Sequence, residues 1–297
     1  EAVSMGADPI RAIRMGTLNT AMYFGPSDMG AVAPGYFADL AVFDNLKDFN
    51  VKQVYKGGKL VAENGKMLHQ KEKNTDWSTE IKERVFHSFH RVPITVEELQ
   101  LKETTGTHQR VIDMVAHELI TKERIEEWKE LPGVAPGVDI SRDIVKLAAI
   151  ERHKNTGHVG LGFLGKYGLK KGAVATSIGH DSHNLVIAGV TDEDMVLAGN
   201  RVIENGGGLA IALEGKVLAD LPLPIGGLMA DEPVEVVDEK LEHMKKLSVE
   251  LGISEDIDAF MTLAFISLPV IPKLRLNTYG IVDVEKHQVV KARFETE

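Results

Sequence analysis

Val174-Ala175-Thr176-Ser177-Ile178-Gly179-His180-Asp181-Ser182-His183-Asn184-Leu185-Val186-Ile187-Ala188-Gly189-Val190 is the stretch that decides the fold. Two short apolar runs, 174–177 and 185–190, flank six residues in which imidazole, carboxylate, hydroxyl and amide side chains follow one another. Apolar runs of this length, bounded by turn residues, predict buried strands. The junction between them displays polar groups on a rigid frame. Immediately after it, Thr191 and three acids, Asp192-Glu193-Asp194, predict a helix over 192–205. Gly206-Gly207-Gly208 stops that helix and opens a further strand at 209–213. Working outward, strands are expected at 110–114, 144–150, 217–221, 274–276 and 280–284. A second long helix is expected over 234–251, opened by Asp231-Glu232-Pro233. Residues 260–270 are almost wholly apolar, and periodicity leaves helix and buried strand equally open there. Toward the N-terminus, Asp8-Pro9 opens a helix running to about Tyr23, and Gly25-Pro26 ends it. Strands follow at 39–44, 51–55 and 59–61, the last two joined through Gly57-Gly58, a two-residue hairpin signature. The interleaving predicts an α+β protein. Residues 69–84 are strongly charged and nearly aperiodic, so they read as a linker between a first segment, 1–68, and a domain over 85–297.

Composition narrows the function. The 297 residues carry 34 Lys and Arg against 44 Asp and Glu, a net charge of −10. An acidic surface repels phosphate, which argues against nucleic acid and anionic membranes as partners. A hydrophobic share of 43% and a charged share of 26% are those of a globular protein. There is no cysteine, which removes disulfides, thiolate metal sites and thiol nucleophiles and suits a cytoplasmic setting. No apolar run reaches the roughly 18 residues of a membrane span, and no secretory signal is visible. The chain opens at Glu1 in what reads as mid-helix, so either processing or a place within a longer polypeptide is expected.

Two clusters could carry chemistry. The first is His180, Asp181, Ser182, His183 and Asn184. Two imidazoles around a carboxylate can bind a metal, shuttle a proton or polarise a substrate nitrogen, although the spacing matches no metal-site motif. In a strand His180 and His183 would face opposite ways, so they act together only if the segment turns. The bland alternative is a polar turn that satisfies its own backbone. The second cluster is Glu151-Arg152-His153, at the end of the strand over 144–150. Glu151, His153 and His158 could supply acid–base or binding groups, whereas Arg152 and Lys154 read as solvated surface. Gly157-His158-Val159-Gly160-Leu161-Gly162 matches neither a P-loop nor a dinucleotide fingerprint. Its glycines are expected to serve tight turns or close approach of another segment.

Residues Asp8-Pro9 through Asn19-Thr20-Ala21, Gly30-Ala31-Val32-Ala33-Pro34-Gly35-Tyr36-Phe37-Ala38-Asp39-Leu40, and the hairpin Val54 to Val61 resemble the closing segment of the amidohydrolase superfamily. In that superfamily the segment ends a (β/α)8 barrel and completes a small β-sandwich. Glu151-Arg152-His153, the 180–184 cluster, Leu221-Pro222-Leu223-Pro224-Ile225-Gly226-Gly227 through Pro233, and Phe260 to Phe265 resemble the C-terminal domain of the adenine deaminase family. The resemblance implies an α+β chain made of the end of a barrel, a β-sandwich and a mixed C-terminal domain. It also implies hydrolysis of adenine to hypoxanthine and ammonia by a metal-activated water. The metal, Mn2+ or Fe2+, would be held on an N-terminal barrel half, since this sequence has no HxH pair. His180, Asp181 and His183 are then expected to act catalytically, with Glu151, His153, Ser182 and Asn184 binding adenine. A cytoplasmic homo-oligomer is expected. The alternative is a non-catalytic capping or oligomerisation domain.

Overall fold

The computed structural model describes residues 1–68, 77–115 and 117–295. The chain divides into two compact units, Glu1–Trp77 and Ser78–Glu297; the 69–76 part of the charged stretch lies outside the described residues.

In the first unit the Asp8 carboxylate caps helix α1 (Pro9–Gly16) through the Arg11 amide at 2.8 Å. The single helix expected to Tyr23 is broken at Thr17, whose backbone leaves the helical region, and resumes as α2 (Leu18–Phe24). Gly25, at φ 93°, ends it in the left-handed conformation that glycine adopts freely. Strands β1 (Leu40–Phe43), β2 (Val51–Lys56), β3 (Lys59–Glu63) and β4 (Lys66–Met67) form an antiparallel meander in that order. Gly57 and Gly58 both have positive φ, as a type I′ hairpin turn demands. Among the described residues this is one four-stranded sheet, where the resemblance led us to expect a sandwich. Among the described residues of this unit Ala21, on α2, is the one buried hydrophobic, while Met22, Tyr23 and Phe24 are each more than 70% exposed.

The second unit opens with helix α3 (Thr79–Phe86), capped by the Ser78 hydroxyl. It occupies the end of the stretch whose charge suggested a linker. Then come β5 (His108–Met114), β6 (Thr121–Glu127), β7 (Ile144–Ile150), β8 (Val159–Gly165), β9 (Ala173–Thr176) and β10 (Leu185–Gly189). They are followed by α4 (Asp192–Glu204), β11 (Gly208–Leu213), β12 (Lys216–Pro222), α5 (Val234–Glu250) and α6 (Ala259–Ile266). Three short strands, β13 (Leu274–Asn277), β14 (Gly280–Asp283) and β15 (Gln288–Val290), and then β16 (Arg293–Phe294) close the chain. The large sheet runs β12-β11-β9-β10-β7-β8-β5, with β6 and β16 both paired to β5. Its pairs are antiparallel except β5 with β8.

Strand alternation sorts the core into two layers. Val174, Val186, Ala188 and Leu209 face one way, against Met244 of α5, Leu263 of α6 and Leu276 of β13. Ala173, Ala175, Leu185, Ile187 and Ala210 face the other, against Met195, Ala198 and Val202 of α4. Burial on both faces explains why these strands read as continuous apolar runs. The row of alanines under α4 lets that helix approach closely. The ambiguous apolar run is a helix, α6, because Asp258 caps the amides of Phe260 and Met261.

Two elements depart from the sequence reading. The glycine-rich stretch is mostly strand β8. A Cβ at Gly160 would lie 1.9 Å from the Asn277 carbonyl oxygen, and one at Gly162 would lie 2.9 Å from Ile281. These glycines therefore serve the close approach of the three-stranded sheet. Strand β6, Thr-Lys-Glu-Arg-Ile-Glu-Glu, went unread because its charges mimic a solvated loop.

Candidate functional site

Register places the candidate residues together. Leu185 pairs with Ile150, Ile150 with Val159, Val186 and Leu209 with Thr176, and Gly208 with Pro222. The 151–158 loop, the 177–184 loop, the Gly206–Gly208 turn and the segment after β12 thus emerge at the same end of the sheet.

The 177–184 segment lies outside regular strands and turns back on itself, with the His183 amide donating to the Gly179 carbonyl. That turn brings the rings of His180 and His183 to a centroid separation of 6.3 Å. His180 packs against Phe265 of α6 at 4.8 Å, and its amide donates to the Ala264 carbonyl at 2.9 Å. His183 is partly buried with φ 49°, and its Nδ1 has no hydrogen-bond partner. The buried Oδ1 of the neighbouring Asn184 is likewise unpartnered. Buried polar atoms are nearly always satisfied, so two orphans on adjacent side chains leave unused hydrogen-bonding capacity at this end of the sheet. Burial, then the charge of Arg152 and the nearby His180, push the His183 pKa below its usual value. A neutral imidazole results near pH 7, able to donate or accept at Nδ1 according to its tautomer. Asp181 and Ser182 are exposed. A ring nitrogen of His153, Nε2, lies 2.7 Å from the Ser182 carbonyl oxygen and links the two loops.

Glu151 serves its own loop. Its carboxylate accepts from the amides of His153 (2.6 Å), Lys154 (2.9 Å) and Thr156 (2.9 Å), and from the Thr156 hydroxyl (3.0 Å). Burial works to raise its pKa, but the bonds from Thr156, Lys154 and His153 outweigh it and hold the carboxyl at about 2. Such an acid stays ionised and is a poor proton shuttle at neutral pH. These bonds organise the 151–156 loop.

Arg152 is the residue most misjudged from sequence. Far from being solvated, it is 1% exposed. Its guanidinium donates to the carbonyls of His183, Ser88 (3.3 Å) and Gly226 (3.0 Å), and lies over the Phe89 ring at 4.9 Å. It therefore ties together the 177–184 loop, the segment after α3 and the turn after β12. Gly227 packs on its face, where a Cβ would fall 2.8 Å from Nη1. Ser177 secures the same turn, its hydroxyl donating to the Gly227 carbonyl at 2.6 Å and accepting from the Gly208 amide at 2.7 Å. The signal available in sequence was the Gly226-Gly227 pair, a backbone flat enough to cover a guanidinium. His158 turns away from the cluster and stacks on Tyr279 at 4.8 Å.

Among the described residues no group of three or more His, Cys, Asp or Glu is placed to hold a metal ion. No described helix is long and apolar enough to cross a membrane.

Against known families, residues 2–61 match the amidohydrolase family and residues 118–288 match the adenine deaminase C-terminal domain. The latter covers more than half of the sequence, and the chain belongs to that family. An adenine deaminase 2 of Carboxydothermus hydrogenoformans is 44% identical over 290 residues, covering 97% of this chain and 49% of that protein. The adenine deaminases of Kosmotoga olearia and Petrotoga mobilis are 44% and 41% identical, again over 97% of this chain and 49% of theirs. The chain thus spans about half the length of the curated relatives it matches. The likeness of residues 2–61 to the amidohydrolase family implies a divalent metal cofactor; the residues described here do not form a site for it.

Proposed function

We propose that this chain is the C-terminal portion of an adenine deaminase, which hydrolyses adenine to hypoxanthine and ammonia. The metal, Mn2+ or Fe2+, is held by a barrel half outside these 297 residues, and the first unit completes that barrel. Within this chain the substrate-facing groups are His180, His183 and Asn184, with Asp181, Ser182 and His153 at the rim. The observation that carries this assignment is the pair of unpartnered buried atoms, His183 Nδ1 and Asn184 Oδ1. Asn184 Oδ1 accepts an N–H from the purine edge, and the neutral His183 offers the complementary donor or acceptor. Arg152 and Glu151 position these groups without touching substrate. The whole protein acts in cytoplasmic purine salvage as a homodimer, in keeping with the prevalence of twofold assemblies among soluble enzymes.

Adenine consumption and ammonia release test the reading. The 297-residue chain alone, supplied with Mn2+ or Fe2+, is expected to be inactive, and the full-length protein active. In the full-length protein His183→Ala and Asn184→Ala each lower kcat/KM at least about tenfold, or 1.4 kcal/mol of transition-state stabilisation. Robust deamination by the chain alone refutes the division of labour. Wild-type kinetics in both variants would make this end of the sheet a cap without substrate contact.

A further inference from the structure

On α6, a second cavity lies apart from the loop cluster. Between this helix and the 118–121 segment leading into β6 is a cleft of about 200 Å3. Leu119, Ile120, Met261 and Phe265 line it with hydrocarbon, the exposed Glu118 lines it too and disfavours a second negative charge on any ligand, and Leu119, Ile120 and Met261 are exposed at the surface. Arg275 of β13 also lines it and is 0% exposed. Its Nη2 donates to the Leu119 carbonyl and, at 3.5 Å, to the Pro272 carbonyl. Its Nε is buried with no acceptor at all. Burial alone draws its pKa down to about 10, with no carboxylate working to restore it. Carbonyl dipoles solvate a guanidinium only in part, and a fully buried cation is normally paired with an anion. Among the described residues Arg91 is also buried, but its guanidinium is paired with the Glu98 carboxylate; Arg152 differs in having acceptors on all three nitrogens and an aromatic ring beneath it.

We propose that this cleft binds a small organic monocarboxylate, its carboxylate on Arg275 and its apolar body between Leu119, Ile120, Met261 and Phe265. The charge of Arg275 selects an anion. The apolar walls select against a strongly hydrated inorganic anion, which would lose its water without replacement. One cation matches one carboxylate, and a second would be left unpaired. The volume is below the roughly 300 Å3 at which drug-sized sites begin, so the ligand is an acid of about six carbons. Phe265 also touches the His180 ring, so occupancy of the cleft has a spectroscopic reporter on the other side of α6.

Hexanoate, 1-hexanol and inorganic phosphate, titrated into the 297-residue chain by calorimetry, test this proposal, with the His180 imidazole resonances followed in parallel. Hexanoate is expected to bind and shift those resonances, hexanol to bind at least tenfold more weakly, and phosphate to give no heat. Arg275→Met should lower hexanoate affinity at least tenfold. Met261→Asp, at an exposed position where folding is not at stake, should do the same by charge repulsion. Equal affinity for hexanol and hexanoate, retained affinity in either folded variant, binding of phosphate in place of hexanoate, or no binding at all overturns the proposal.

Discussion

Replacing Glu151 by Gln changes a single atom's chemistry in the middle of four hydrogen bonds. Three backbone amides and one hydroxyl converge on the two carboxylate oxygens. Glutamine keeps one acceptor oxygen, but its NH2 must face amides that also donate. These bonds hold the folded carboxyl at about 2, against 4.5 in the open chain. A depressed folded pKa stabilises the protein above the unfolded value, and the contribution disappears as pH falls toward the folded one. Taken at face value this difference is about 3 kcal/mol, and solvent screening of a partly exposed loop reduces it to about 1–2 kcal/mol at pH 7. By pH 3.5 roughly two-fifths of that contribution is already gone. Urea denaturation of wild type and Glu151→Gln at pH 7, 5 and 3.5 measures this directly. The variant should be less stable by about 1–2 kcal/mol at pH 7 and pH 5, and the gap should narrow at pH 3.5. A gap that stays constant across the three pH values refutes the reasoning, because it would mean that the carboxylate's charge is not what the loop uses.

Three further outcomes follow from the same geometry. Arg152→Met strands the carbonyls of Ser88, His183 and Gly226 and should cost about 3 kcal/mol in urea denaturation. Faster hydrogen exchange should accompany it at 180–184 and 226–228, and Lys should not rescue because it lacks the guanidinium fork. Gly160→Ala forces a methyl into the Asn277 carbonyl and should destabilise by about 3 kcal/mol, the upper range for overpacking; a melting temperature within a degree of wild type would be the contrary result. A 78–297 fragment should unfold cooperatively by itself, since both core layers are built from residues of that unit. The 1–77 fragment, with Ala21 its one buried hydrophobic among described residues, should not; calorimetry of the two pieces distinguishes the cases.

Much of the frame could be read from the chain because burial on both faces writes continuous apolar runs. Strands β7, β9, β10 and β11, and helices α4 and α5, lie where composition and capping residues put them. The crowding of His180 to Asn184 between two such runs was equally visible. What could not be read was the fate of charge. Arg152 is hydrophilic by type and buried by tertiary carbonyls contributed from residues 64 positions upstream and 74 downstream. No local pattern announces such partners. Glu151 looked like a free acid because the donors to its carboxylate are mostly backbone amides, which sequence never displays. The turn that brings His180 and His183 together depends on a left-handed residue at His183, a conformation usually associated with glycine or asparagine.

The charged strand β6 has a consequence for how copies of this protein can meet. It forms one margin of the large sheet, and Glu123, Arg124 and Glu126 on it are already matched within the chain. Arg124 pairs with Asp113 and Glu126, Arg142 with Glu126, and Lys273 with Glu123. A second molecule adding its own strand there would have to strip water from these ions and draw them from their present counterparts, and a row of new backbone bonds compensates poorly for that. The margin therefore behaves as a selvedge, finished so that the fabric does not continue, and self-association is steered to other faces of the molecule.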